Sequence, residues 1–162
     1  MQKIFALTDV SRSYLREWSP WVDATRTVED SKAFIQSTLQ QFTSNSGFQA
    51  GIFDKGKFAG VVGFHDINWA NKSTSIGYWL REGFQGKGIM TSASRATVDI
   101  AFREYGLNRI EIRAALDNRK SRAIPERLGF TQEGTCRQAE WIYDHYVDHV
   151  VYGLLKEDWC HQ

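Results

Sequence analysis

One segment of this 162-residue chain has clear chemical potential, because it joins two glycines to the start of a helix. Gly86 and Gly88 stand directly before an apolar, helix-like pattern that begins at Ile89. Glycine lets a backbone bend sharply or approach a ligand closely. The unpaired N–H groups at a helix N-terminus point one way, and the helix dipole favours an anion there. The segment therefore predicts a phosphate or pyrophosphate site, to which Lys87 adds positive charge.

The same glycines also fit a plain tight turn, because glycines before a helix are a weak signal when taken alone. Two nucleotide-binding patterns can be tested against the segment. The Walker A pattern fails, because no Gly-Lys-Ser/Thr closes the loop. The dinucleotide pattern GxGxxG fails too, because Gly86-Lys87-Gly88 is not followed by a glycine at the required place.

A second segment places polar residues at the start of a later helix. Asn118 and Ser121 lie three positions apart, so their side chains can cap that helix or face one ligand. Capping alone explains Asn118 equally well. Leu128 and Phe130, on either side of Gly129, are most simply core residues.

Both segments resemble motifs of the GNAT acetyltransferases, and within that superfamily the chain resembles the RimJ/RimL type. The family's pyrophosphate loop reads Gln/Arg-x-x-Gly-x-Gly/Ala, and residues 85–90 read Gln-Gly-Lys-Gly-Ile-Met. Met90 departs from the usual small residue, but backbone amides do the binding, so binding is expected to survive. Residues 118–121 and 128–130 match the family's Asn-x-x-Ser and Leu-Gly-Phe. The resemblance covers residues 2–158, including Gln-Ala-Glu at 138–140.

The resemblance implies that acetyl-coenzyme A binds as the acetyl donor between two parallel strands that splay apart, residues 75–81 and 107–116. A backbone N–H of Trp79 or Leu80 would polarise the thioester carbonyl. No metal is implied. The residues implied in binding the donor are Tyr78, Trp79, Leu80, Gln85, Gly86, Lys87, Gly88, Ile89, Met90, Thr91, Asn118 and Ser121.

The resemblance also implies two catalytic side chains. Ser121 would protonate the leaving thiolate, and Glu140 would act as the base, directly or through a water. Each has a plainer reading: Ser121 can cap the helix or hydrogen-bond coenzyme A, and Glu140 can be an exposed strand carboxylate. Lesser candidates are His65, Asp66 and Glu111.

The sequence leaves three functions open, which differ in whether and to what the acetyl group is transferred. The first is acetylation of a protein N-terminus, as RimJ/RimL-type enzymes perform on ribosomal proteins. The second is acetylation of a small amine, such as a polyamine, an amino acid or an aminoglycoside, and the third is coenzyme A binding without turnover. A protein acceptor predicts an open groove, whereas a small amine predicts a closed acidic pocket. Trp21 and Trp141 are expected to line the groove, and a homodimer is expected because relatives often dimerise.

Strand and helix patterns place these residues on a mixed α/β domain. Helices come first, one of them started by Thr27 with Asp30 three residues later. Three strands follow as a meander, then the glycine loop, a helix, a strand, a helix and two strands. The strand between the two later helices is expected to carry Ile110 and Ile112 on one face. The crossover through the loop predicts one parallel pair in a mostly antiparallel sheet. The family's usual first edge strand is expected to be missing. The helix after the loop is expected to bury the stripe Ile89, Ala93, Ala96 and Ile100.

Bulk composition is that of one ordinary globular domain, residues 1–162. Hydrophobic residues make up 42% and charged residues 24%, with a net charge of +1. This balance gives no reason to expect nucleic-acid or membrane binding. Cys136 and Cys160 lack metal-ligand spacing and are expected to be free thiols. With no signal peptide in the pattern, a cytoplasmic location is expected.

Overall fold

The computed structural model describes residues 2–160, with the backbone alone for Gln2, Lys3 and Cys160. The predicted thiol of Cys160 therefore lies outside the described part, whereas Cys136 is a free and exposed thiol. The helices are α1 Gln2–Val10, α2 Arg12–Leu15, a 3-10 helix Pro20–Asp23, α3 Val28–Thr43, α4 Ile89–Arg103, α5 Arg119–Arg127 and α6 Lys156–Cys160. The strands are β1 Gln49–Asp54, β2 Lys57–Asn68, β3 Ser73–Leu80, β4 Arg109–Ala115, β5 Thr131–Ile142 and β6 His145–Leu155.

The strands form one six-stranded sheet in the order β1-β2-β3-β4-β6-β5. Among the strands of residues 2–160 only β3 and β4 are parallel, and they pair over Ser73–Ser75 with Arg109–Glu111. Beyond these residues the two strands separate, so a gap opens in the middle of the sheet. This confirms the mostly antiparallel sheet with one splayed parallel pair. Within residues 2–160 only helices precede β1, which forms one edge of the sheet.

The start of α3 is held by the predicted cap. The Asp30 amide donates to Thr27 Oγ1 at 3.2 Å, and the Thr27 amide donates to Asp30 Oδ2 at 2.8 Å. Backbone N–H groups of Arg26 and Thr27 lower the pKa of Asp30, because they stabilise its charged form. A reciprocal capping box of this kind satisfies two otherwise unpaired helix donors.

The face that α4 buries differs from the predicted stripe. Ala96 is exposed, and Ile89, Ala93 and Ile100 are only partly buried. The buried residues of the helix are Met90, Ser94, Thr97, Val98, Ala101 and Phe102. The prediction counted only apolar residues, whereas the small Ser94 and Thr97 share the buried face and let the helix lie close to the sheet. The Thr97 hydroxyl is hydrogen-bonded within the helix, where it donates to the Ala93 carbonyl at 2.9 Å.

The core lies between α4, α5 and one face of the sheet. Ile110 and Ile112 both point into it, as predicted from their alternation, and Leu128 and Phe130 are buried there as well. Helices α1 to α3 cover the opposite face near the gap. Across residues 2–160, no helix combines the length and apolar character needed to cross a membrane.

Candidate active site

A cavity of about 840 Å³ runs through the gap between the splayed strands. It reaches from the start of α5 to the helices on the other face of the sheet, so one space joins the two predicted catalytic residues. The predicted residues on its wall are Trp21, His65, Tyr78, Trp79, Asn118, Ser121 and Glu140. Those away from its wall are Asp66, Leu80, residues 85–91, Glu111 and Trp141.

The gap leaves part of the β3 backbone without a strand partner. The Arg81 N–H donates to the Ala59 carbonyl of β2 at 2.8 Å. Because successive N–H groups of a strand alternate in direction, the Trp79 N–H faces β2 as well. The N–H groups of Tyr78 and Leu80 face the gap instead. Of the two predicted carbonyl polarisers, Leu80 has the required direction.

The glycine loop has a backbone that only glycine adopts easily. Gly86 and Gly88 have φ of +72° and +73°, and a β-carbon added to either would meet nothing within 4 Å. Gly88 is the N-cap of α4 and offers no side-chain acceptor to its first turn. The first amides of α4 are thus free to bind an anion. Open space and free donors fit the pyrophosphate of coenzyme A.

Side chains around this loop stabilise it rather than extend from it. Gln85 accepts from the Gly83 amide at 2.9 Å and donates to the Arg81 carbonyl at 2.7 Å. The Lys87 ammonium lies 5.5 Å from the centre of the Phe84 ring. The Met90 side chain is buried in the core, 4% exposed. Its bulk therefore points away from the loop, which explains why the loop can accommodate a methionine at this position.

The start of α5 brings Asn118 and Ser121 onto the cavity wall. The Asn118 side chain accepts from the Ser121 amide at 3.2 Å, so it caps the helix while facing the cavity. The Tyr78 hydroxyl donates to the Ser121 carbonyl at 2.9 Å and lies 3.4 Å from Ser121 Oγ. Burial raises the pKa of Tyr78, because it disfavours the phenolate. The phenol thus remains a neutral support for Ser121.

Glu140, also on the cavity wall, is not a free carboxylate. Its Oε2 lies 2.8 Å from Nε2 of His149, and both side chains are on the cavity wall. His149 is on β6 opposite Ala115, three residues before Asn118. Sequence reasoning missed His149, because the signal lies in the pairing of β5 with β6 and not in local spacing.

An irregular stretch of β5 sets the position of Glu140. Cys136 pairs with His149, and the register then shifts so that Glu140 pairs with Val147. Regular pairing from Cys136 onward would have placed Glu140 opposite His145, about 7 Å farther along β6. Gln138 in the bulge has φ +50°, and its amide donates to Asp148 Oδ1 at 2.7 Å. The bulge thus re-aims Glu140 toward the cavity.

Two more ionisable groups complete the cavity wall. His65 Nδ1 lies 2.9 Å from Ser75 Oγ, and its ring fills the space beside Gly77, where a β-carbon would lie 2.5 Å from Nε2. Arg113 pairs with Glu111 at 3.2 Å. Sequence reasoning named His65 as a lesser candidate and did not name Arg113.

The aromatic candidates for the acceptor groove separate in the structure. Trp21 packs at 5.5 Å from Trp79 and lines the cavity. Trp141 follows Glu140 and its side chain is 53% exposed, with its ring against Tyr146 at 4.8 Å. Alternation along β5 therefore turns Trp141 away from the side that carries Glu140.

These features define a class of protein. The gap between the splayed strands opens toward the glycine loop, which suits an anion. An extended ligand with a pyrophosphate at one end fits this arrangement. The cavity wall carries a hydroxyl and a carboxylate–imidazole pair, and N–H groups of β3 face the same gap; these are the kinds of group that acyl transfer to an amine requires.

Comparison with known proteins places the chain in a family. Residues 3–131 match the family model described as the acetyltransferase (GNAT) domain. The putative ribosomal N-acetyltransferase YdaF of Bacillus subtilis (strain 168) is 41% identical over 128 residues, covering 79% of this chain and 70% of the relative. The chain therefore belongs to the GNAT acetyltransferases, and it is an acetyltransferase that uses acetyl-coenzyme A as donor.

Two solved structures share nearly the whole fold. RimL, the ribosomal L7/L12 alpha-N-protein acetyltransferase in complex with coenzyme A, superposes with a TM-score of 0.91 at 29% identity, covering 95% of this chain and 87% of that chain. The microcin C7 self-immunity acetyltransferase MccE, in complex with acetyl-CoA and AMP, gives a TM-score of 0.89 at 32% identity, covering 95% and 86%.

Proposed function

We propose that this enzyme acetylates the N-terminal amine of a protein, as the ribosomal-protein acetyltransferases among its relatives are named for doing. The observation that carries this proposal is the character of the cavity wall. Only Glu140 is acidic among the lining residues that the structure describes. A single carboxylate suits one ammonium group, whereas a polyamine or an aminoglycoside carries several.

The shape of the cavity also supports a protein acceptor. Three large apolar lining side chains are substantially exposed, Trp21 at 40%, Phe34 at 49% and Leu39 at 59%. Residues that line a cavity and yet meet solvent lie at its mouth, so the cavity opens along α3 and the 3-10 helix. An apolar, open mouth suits the first residues of an extended chain whose remainder stays outside.

Ser121 and Glu140 are the side chains we assign to the reaction. Ser121 supplies the proton for the leaving thiolate, supported by its place on the wall beside the splayed strands. Glu140 acts in removing the proton from the acceptor ammonium. The Leu80 N–H polarises the carbonyl, since it faces the gap without a strand partner. Bound acetyl-coenzyme A supplies an activated acyl group, held at its pyrophosphate end by residues 85–91.

The test is a coenzyme A release assay with the intact enzyme over a panel of peptides that differ in their first residues, with small amines alongside. Each peptide is matched by the same sequence with a blocked N-terminus, and calorimetry measures acetyl-coenzyme A binding separately. We expect release with free N-termini only, and mass spectrometry of the product should place the acetyl group on the α-amine. Release with small amines alone would overturn the protein acceptor, and binding without any release would leave a coenzyme A-binding module.

We also propose a cytoplasmic location and a homodimer. The free thiol of Cys136 on the surface suits a reducing compartment. The dimer rests on the family resemblance, and sedimentation of the purified enzyme tests it: a single species of 18.6 kDa would contradict it.

A further inference from the structure

We propose that His149 is the base that takes the proton from the acceptor ammonium, and that Glu140 acts through it by holding the imidazole. This rests on the proposed function and refines the role given there to Glu140. The geometry begins with the 2.8 Å contact between His149 Nε2 and Glu140 Oε2. An ionised carboxylate can only accept, so Nε2 must carry the hydrogen of that bond.

The tautomer that this bond selects leaves Nδ1 with a free lone pair. Within residues 4–159 no hydrogen bond is made to Nδ1. The His149 side chain is 20% exposed and lies on the cavity wall, so a ligand in the cavity can reach it. The arrangement is that of a base with one nitrogen fixed by a carboxylate and the other open to a proton. Glu140 also stabilises the imidazolium as it forms.

An imidazole suits this task better than a carboxylate does. The reference pKa of histidine is about 6.5 and that of glutamate about 4.3, and a base works best when its pKa is near the working pH. His149 Nδ1 takes one proton from the ammonium and later releases it to solvent. The freed amine nitrogen bonds to the thioester carbonyl carbon as the carbon–sulfur bond breaks. The second amine proton replaces the one that Ser121 donates to the thiolate, so the products are an amide and a thiol.

The position of His149 along the sheet places it near the reacting atoms. It pairs with Ala115, the last residue of β4, where the strands are already apart. Ala115 and Ser121 line the same cavity. The bulge that moves Glu140 two residues along β6 has the effect of bringing it within reach of His149.

The ionisable groups that share the cavity with His149 can be named. On the face of the neighbouring strands that carries His149 they are Glu140 and Cys136 of β5 and Arg113 of β4, and the cavity wall adds His65 of β2 and Tyr78 of β3. Among the side chains that the structure describes, those that line the cavity from α1, α3 and the 3-10 helix are uncharged.

The test compares His149→Gln, which keeps a donor near the Nε2 position but has no basic nitrogen, with Glu140→Gln. We expect His149→Gln to lower kcat/KM by about 10²–10⁴-fold near neutral pH. Its deficit should shrink as pH rises, because the free amine becomes more abundant. Glu140→Gln should lose less, and acetyl-coenzyme A binding should be unchanged in both. The matched control is His145→Gln, since His145 makes a similar 2.7 Å contact with Asp144 outside the cavity and should be without effect.

A second readout needs neither donor nor acceptor. Nitrogen NMR of the free enzyme, with His149 assigned by its absence from His149→Gln, should show neutral His149 protonated at Nε2 and bare at Nδ1. A proton on Nδ1, or wild-type kcat/KM in His149→Gln beside a large loss in Glu140→Gln, would overturn the proposal. If the wild type instead releases no coenzyme A with any acceptor, the proposed function itself has failed.

Discussion

Substitution of Gly88 by alanine tests whether the backbone of the glycine loop holds the donor. An added β-carbon meets nothing within 4 Å, so sterics with neighbours contribute nothing. The cost is the φ of +73°, which disfavours a residue with a β-carbon by about 1–2 kcal/mol. Because no neighbour packs against this position, the free loop can relax away from the strained conformation. The strain then returns when the donor binds, and the Kd for acetyl-coenzyme A should rise by about 5–30-fold.

Gly56 provides a matched control for this experiment. It lies in the turn between β1 and β2 with φ +78° and equally open surroundings, and it does not line the cavity. Gly56→Ala should carry the same backbone strain and leave the Kd unchanged. Calorimetry gives the Kd of each variant. Thermal denaturation gives the change in stability, since each kcal/mol lost lowers the Tm by about 2–4 °C in a chain of this size. Equal Kd values for Gly88→Ala and Gly56→Ala would refute the view that the loop backbone binds the donor.

Contacts away from the glycine loop give three more expected outcomes. Asp148→Ala should release the β5 bulge and lower kcat/KM on the order of 10²-fold, whereas Asp148→Asn keeps an acceptor oxygen for the Gln138 amide and should retain activity in the same steady-state assay. Since burial raises the pKa of Tyr78, its phenol should stay protonated in an ultraviolet titration to about pH 11. The wild type and Tyr78→Phe should therefore show the same phenolate absorbance, and a larger signal in the wild type would contradict the burial of Tyr78. Hydrogen bonds from Arg109 lower the pKa of Glu111, so this pair stabilises the fold above the unfolded value near 4.3 and the contribution is lost as pH falls through the lowered value. Urea denaturation at neutral and at acid pH should therefore show that the free energy of unfolding changes less between the two pH values in Arg109→Met than in the wild type.

Much of the fold could be predicted because its signals are local. The Thr27–Asp30 cap, the glycine loop before α4 and the alternation of Ile110 with Ile112 each depend on residues a few positions apart. Such patterns report backbone conformation and periodicity directly. The order of elements then restricted the topology to one with a parallel crossover, as the structure has.

The buried face of α4 could not be predicted from local periodicity. Counting apolar residues selected Ala96, which is exposed, and passed over Ser94, which is fully buried. A small polar residue can be buried where close approach of helix and sheet matters more than its hydroxyl. That choice depends on the surface against which the helix packs, which local periodicity does not contain.

The sequence by itself determined the elements, the anion-binding loop and the residues at the start of α5. Only the tertiary structure decided which N–H groups of β3 face the gap and which side chain accompanies Glu140. Both depend on strand register, and a shift of two residues moves a side chain by about 7 Å along its neighbour. One hydrogen bond between the strands, from the Gln138 amide to Asp148, lies at that shift. Its energy depends on the partner strand, and for this reason the pairing of Glu140 with His149 emerges only in the folded chain.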